Sequence, residues 1–133
     1  MRELRFRVWD NKENKYLDPE EIAIDNLGNV FIFEGYQKED NEVWNARVLD
    51  KTDARFVIEQ STNLKDKNGK EIHEGDIVSR YNGNLKGVVK QTKDGQWAIY
   101  WDNIPDGYYV LFKYSNLSEV VGNINENPEL LEK

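Results

Sequence analysis

The chain has 133 residues, a net charge of −7 from 25 acidic and 18 basic side chains, and no cysteine. The missing cysteines exclude disulfides, zinc–thiolate sites, iron–sulfur clusters and cysteine nucleophiles together, and fit a reducing cytoplasm. The acidic balance repels nucleic acid and anionic membranes, and no run approaches the ~20 apolar residues that cross a bilayer.

Apolar residues are scarce at 38%, but 4 Trp, 7 Tyr and 5 Phe supply large surfaces for a small core and argue against disorder. A chain of this length suits one domain or two very small ones, and buries roughly two-thirds of its unfolded surface. The opening Met1 to Arg7 alternates charged and apolar residues, without the unbroken apolar stretch of a signal peptide.

Taken in order, the elements are mostly strands. Leu4, Phe6 and Val8 alternate with Arg5, Arg7 and Trp9, which predicts a strand with one apolar and one basic face. Residues 21–25 read as a second strand, 26–29 as a turn and 30–33 as a third strand. The polar, acidic stretch 35–42 reads as a loop, and strands are expected over 43–49 and 55–60. Asn68-Gly69, Asn82-Gly83 and Asp94-Gly95 are tight-turn signals. They bracket expected strands at 77–81, 85–91 and 96–101. Residues 108–114 continue the apolar-aromatic pattern as a further strand, with room for a short helix near 114–119. A last strand is expected near 120–124, and Asn127-Pro128 suits a helical turn with Asn as N-cap and Pro at N1.

Three blocks of this sequence resemble the YopX family of phage and prophage proteins. They are the opening Met1 to Asp10, the central segment Leu64 to Val78, and the tail Val121 to Leu131. Two positions depart from the family pattern: Asn63 stands where a glycine is expected, and His73 where an aromatic is usual. The resemblance implies a phage- or prophage-encoded cytoplasmic β protein of a bacterial host, and it brings no catalytic residues to carry over.

Few motifs carry chemistry. His73 is the only histidine, and with Glu74 and Asp76 it makes a thin metal site, so a structural role is expected. The run from Asp66 to Glu71 is superficially like a calcium loop, but its glycine is misplaced and Ile77 stands where a bidentate Glu belongs. No nucleophile elbow and no phosphate-binding glycine loop occurs. The suggestive constellation is basic: residues 79–93 carry Arg80, Lys86, Lys90 and Lys93 and no acid. With Tyr81 and Trp97 these form a candidate nucleic-acid face, whereas the plainer reading gives lysines at strand edges a role against aggregation. Trp101, Ile104, Tyr108 and Tyr109 mark a candidate protein-contact loop over 101–108, and the Arg5/Arg7 face is a candidate partner for the acidic stretch 39–42.

The expected fold is mostly β: an N-terminal β region over residues 1–60, packed on a C-terminal small SH3-like, half-open β-barrel with tail over 61–133. One or two short helical turns complete it, and the two regions form either separate parts or one compact unit. No catalytic residue, metal or cofactor is expected. The leading functional expectation is an accessory protein without enzymatic activity that binds another protein or itself. The alternative is a weak nucleic-acid-binding module using residues 80–97. An enzyme built on scattered carboxylates has only the abundance of acids behind it.

Overall fold

Among the residues described by the computed structural model (4–27, 29–37, 42–49, 55–102, 104 and 107–132), strands dominate. The chain divides into two compact units, Arg7–Ile58 and Met1–Phe6 with Glu59–Lys133.

In the Arg7–Ile58 unit, the alternating opening forms β1 (Phe6–Asp10), which pairs antiparallel with β2 (Lys15–Tyr16). Trp9 lies opposite Tyr16, with the rings edge-to-face at 5.0 Å. A 3-10 turn over Pro19–Glu21 follows, capped by the Asp18 carboxylate, which accepts from Glu20 N. Next come β3 (Ile22–Ile24), β4 (Val30–Gln37) and β5 (Glu42–Leu49), an antiparallel meander. Strand β4 runs to Gln37, and its register continues through Tyr36 opposite Val43 and Gln37 opposite Glu42. The expected 35–42 loop is therefore shorter at both ends; residues 38–41 lie outside the described set. Cross-strand pairing overrides the polar composition there. Val8 and Val30 are buried with Leu17, Ile22, Ile24, Ile32, Phe56 and Ile58 around them.

The unit boundary falls inside β6 (Phe56–Lys65), between Ile58 and Glu59, which is why no Pro- or Gly-rich linker marks it in the sequence. In the larger unit β6 pairs with β7 (Glu71–His73). A five-stranded antiparallel sheet follows, curled into a half-barrel, in the order β11 (Tyr109–Val110), β10 (Trp97–Trp101), β9 (Leu85–Gln91), β8 (Asp76–Arg80), β12 (Glu119–Asn123). The β9–β10 hairpin turns where Asp94-Gly95 predicts, with Gly95 at φ +89. Its concave face buries Val78, Val89, Ile99 and Trp101 against Ile72 and Leu111. Gly87 is required there, because a Cβ would come within 2.8 Å of the Trp101 ring and 2.7 Å of Ile99.

The expected strand over 108–114 is only two residues long. After Val110 the chain turns into α1 (Leu111–Tyr114) and a 3-10 turn, Ser115–Leu117. Complete burial of Leu111 draws the backbone in and ends the ladder. The tail forms a 3-10 turn over Pro128–Leu131 with Pro in its first turn, as the sequence suggests. Asn127 does not cap that turn through its side chain: its Oδ1 accepts from Asn123 N at 3.2 Å, tying the turn back to β12. No helix among the described residues is long and apolar enough to cross a membrane.

Candidate functional site

The central block, Leu64 to Val78, is a polar brace. Asp66 is buried and accepts from Asn68 N, Lys70 N and Val120 N at 2.8–2.9 Å. Burial opposes its ionisation, but these three N–H donors outweigh burial and hold its carboxyl below the ordinary carboxylate value. One side chain thus closes the Asn68-Gly69 turn and ties it to β12. Asp76 Oδ2 accepts from His73 N at 2.8 Å, which closes the β7–β8 turn. Gly75 sits at φ +87, where an added Cβ would collide with the buried Glu59 carboxylate. Glu59 in turn accepts from Asn125 Nδ2 at 3.2 Å, and Glu126 accepts from Asn123 Nδ2 at 2.8 Å. His73 Nε2 lies 3.6 Å from Glu71, whose other oxygen meets Arg5 at 2.9 Å. Among the described residues, no three His, Cys, Asp or Glu side chains gather as a metal site. This region binds strands and turns together.

The six residues of the candidate basic face are divided by the pleat. Opposed residues in an antiparallel pair share a side. Lys86 lies opposite Ser79, Val88 opposite Ile77 and Tyr100, and Lys90 opposite Ala98. Lys86, Val88, Lys90 and Tyr100 therefore project from one side of the sheet, and the Tyr100 ring meets Tyr108 at 5.4 Å. Arg80 lies opposite Leu85 and Trp97 opposite Gln91, on the core side, and Trp97 packs against the core. Lys93 is exposed in the β9–β10 turn. Thus the structure brings Lys86 and Lys90 together, and sets Arg80 and Trp97 on the other side.

Arg80 ends β8 in an aromatic setting. Tyr81, Asn82 and Gly83 follow at φ +53, +56 and +89, three successive left-handed residues. This reversal lays the Tyr81 ring over Arg80, with the guanidinium carbon 4.9 Å from its centroid. Tyr114 of α1 takes a second place on the same guanidinium, at 5.2 Å. The stack continues inward, from Tyr114 to Tyr109 at 4.9 Å and from Tyr109 to Trp101 at 6.1 Å. Trp101 is buried, and its Nε1 has no hydrogen-bond partner among the described residues.

Of the candidate contact loop, Trp101, Ile104 and Tyr109 pack into or against the core, and Tyr108 is 44% exposed; Asn103, Pro105 and Asp106 lie outside the described set. The outward aromatic is further along. Phe112 is 75% exposed and Leu117 53% exposed, while Leu111 and Ser118 on either side are fully buried. Ser118 Oγ donates to Tyr114 O at 2.8 Å, and Ser118 O accepts from Lys67 N at 2.9 Å, so the segment is firmly tied down. Arg5 pairs with Glu71, and Arg7 lies over the Tyr16 ring at 4.8 Å; of their expected acidic partner, 39–42, residues 39–41 lie outside the described set and Glu42 opens β5. Sequence reasoning missed the Tyr114–Arg80 stack, since nothing local links residues 34 positions apart. It read 108–114 as a strand and did not single out Phe112, which α1 turns outward while Leu111 is buried.

A comparison with curated proteins gives no match. Among solved structures, the chain is similar to the crystal structure of protein EF1440 from Enterococcus faecalis, with a TM-score of 0.60 and 28% identity, over 97% of this chain and 98% of that one. The family model described as YopX protein matches residues 5–132, nearly the whole length, and the chain belongs to the YopX family.

Proposed function

We propose that this YopX-family protein is a phage or prophage accessory factor that performs no chemistry of its own and acts by contact with another protein. The observation that carries this reading is the α1 segment. Isolated exposed apolar residues are ordinary on a protein surface. Here two large ones, Phe112 and Leu117, stand out from a short segment whose flanking Leu111 and Ser118 are fully buried. An anchored segment loses little further conformational freedom when a partner covers it, which favours binding. The test is affinity capture of the tagged protein from bacterial cells with nuclease treatment. A specific protein should be retained by the wild type and lost from the Phe112→Ser/Leu117→Ser double variant. Equal capture by both would overturn the reading.

A second reading has its own observation: Lys86, Lys90 and the Tyr100–Tyr108 pair lie on one side of the sheet. Cations beside stacking rings suit single-stranded nucleic acid. That reading requires salt-sensitive oligonucleotide binding that disappears in Lys86→Glu/Lys90→Glu; binding unchanged by the double substitution would remove it.

A further inference from the structure

Arginine has two recognition surfaces. Its flat faces stack on aromatic rings, and its edge carries five N–H donors in a planar fork. At Arg80 the guanidinium carbon lies over two rings, Tyr81 and Tyr114. Among the described residues no hydrogen bond or ion pair reaches this guanidinium at its edge. Contact with two rings restricts the guanidinium before any acceptor arrives. Holding it involves a conformation that bulky residues rarely adopt, since Tyr81 stands at φ +53 and is 65% exposed, so burial does not impose it.

We infer that Arg80 is a docking point for a single Asp or Glu carboxylate on an acidic segment of a partner protein. This rests on the protein-contact reading above. A planar fork with its N–H donors open matches a carboxylate, which accepts two parallel N–H bonds. The charge pattern agrees, because residues 79–93 contain no acid that could occupy the fork from within. A protein carboxylate fits better than a phosphate backbone. A backbone requires a track of cations, and Lys86 and Lys90 stand on the other side of the sheet from Arg80. Phe112, two residues before Tyr114, is exposed on the same short helix but projects from a different side of it.

The experiment is a titration of the full-length protein followed by NMR at the Arg80 Nε–Hε resonance. The probe is N-acetyl-glutamyl-leucinamide, and the control is its glutaminyl counterpart. A saturable shift is expected with the glutamyl probe and not with the control. Arg80→Gln and Arg80→Lys should each weaken binding about tenfold or more, the lysine because a point charge lacks the fork. Unchanged amide dispersion in the variants shows that both fold. The proposal is overturned if the glutamyl probe gives no saturable shift at Arg80, or if the two probes act alike. It is also overturned if a short oligothymidylate shifts Arg80 together with the Lys86 and Lys90 amides while the glutamyl probe does not. Capture lost on Phe112→Ser/Leu117→Ser, with dipeptide binding equal in wild type and Arg80→Gln, would keep the contact reading and sink the carboxylate assignment. A titration centred on Arg80 alongside capture indifferent to Phe112 and Leu117 would support the Arg80 site and sink the contact reading.

Discussion

Three arginines among the described residues lie over aromatic rings, Arg7, Arg55 and Arg80, and the edges of the last two differ. Arg55 lies 4.7 Å from the Phe56 centroid and gives Nε to Asp10 Oδ1 at 2.8 Å and Nη2 to Asp10 Oδ2 at 2.9 Å. Asp10 is buried at 2% exposure, and Asn11 N donates to Arg55 O, so this pair closes the strand ends of its unit. Among the described residues, Arg80 has two rings and no carboxylate. One guanidinium has its acid supplied by the chain; for the other, on the proposal above, the acid is left for a partner to bring. The difference separates a structural arginine from a recognition arginine without appeal to either one's sequence neighbourhood.

Substitution should expose that difference most strongly in stability. Arg55→Ala strands the Asp10 carboxylate in a buried position and should cost about 3 kcal/mol, read from thermal unfolding and from hydrogen exchange in Arg7–Ile58. Acid titration gives the next largest effect. The hydrogen bond from Arg55, helped by Lys12 N and Glu13 N and opposed by burial, holds the Asp10 pKa down to about 2 from 3.8. A carboxyl depressed in the folded state stabilises above its unfolded value, and that contribution, about 2 kcal/mol here, is lost as pH falls from 3.8 towards 2. Stability of Arg55→Ala should therefore depend less on pH across that window. Arg80→Ala should lose only about 1 kcal/mol, the worth of an exposed cation–π stack, with an acid-unfolding curve parallel to the wild type. Smallest of all, Tyr81→Gly should change stability by less than about 1 kcal/mol. Relief of a left-handed tyrosine offsets the lost stack. A destabilisation by Arg80→Ala as large as that by Arg55→Ala would erase the distinction.

Much of the strand layout could be read from residue order. Asp94-Gly95 places the β9–β10 hairpin, and alternation puts Val89 inward and Lys86 and Lys90 outward, because a strand has one period and a turn has few residue choices. The polar brace was legible only as a family-like block; what Asp66, Gly75 and Glu59 do depends on residues far along the chain. Tyr108 to Tyr114 misled because aromatics favour strands in isolation, and burial of Leu111 decided otherwise. Tyr81 is the instructive case. Strand periodicity sets it on the side opposite Arg80, yet a positive φ takes it out of the strand and folds its ring onto Arg80. The left-handed run Tyr81-Asn82-Gly83 made the candidate site; Asn82-Gly83 announces the turn, but nothing in the residue types announces the positive φ at Tyr81.

The account's central claim, that the surface beside α1 meets another protein, is tested most directly by photo-cross-linking in living bacterial cells. A photoreactive phenylalanine is placed at position 112, and at exposed Lys12 as a comparison. The account predicts one discrete protein adduct at 112 and none at 12. Equal, diffuse labelling at the two positions would contradict it.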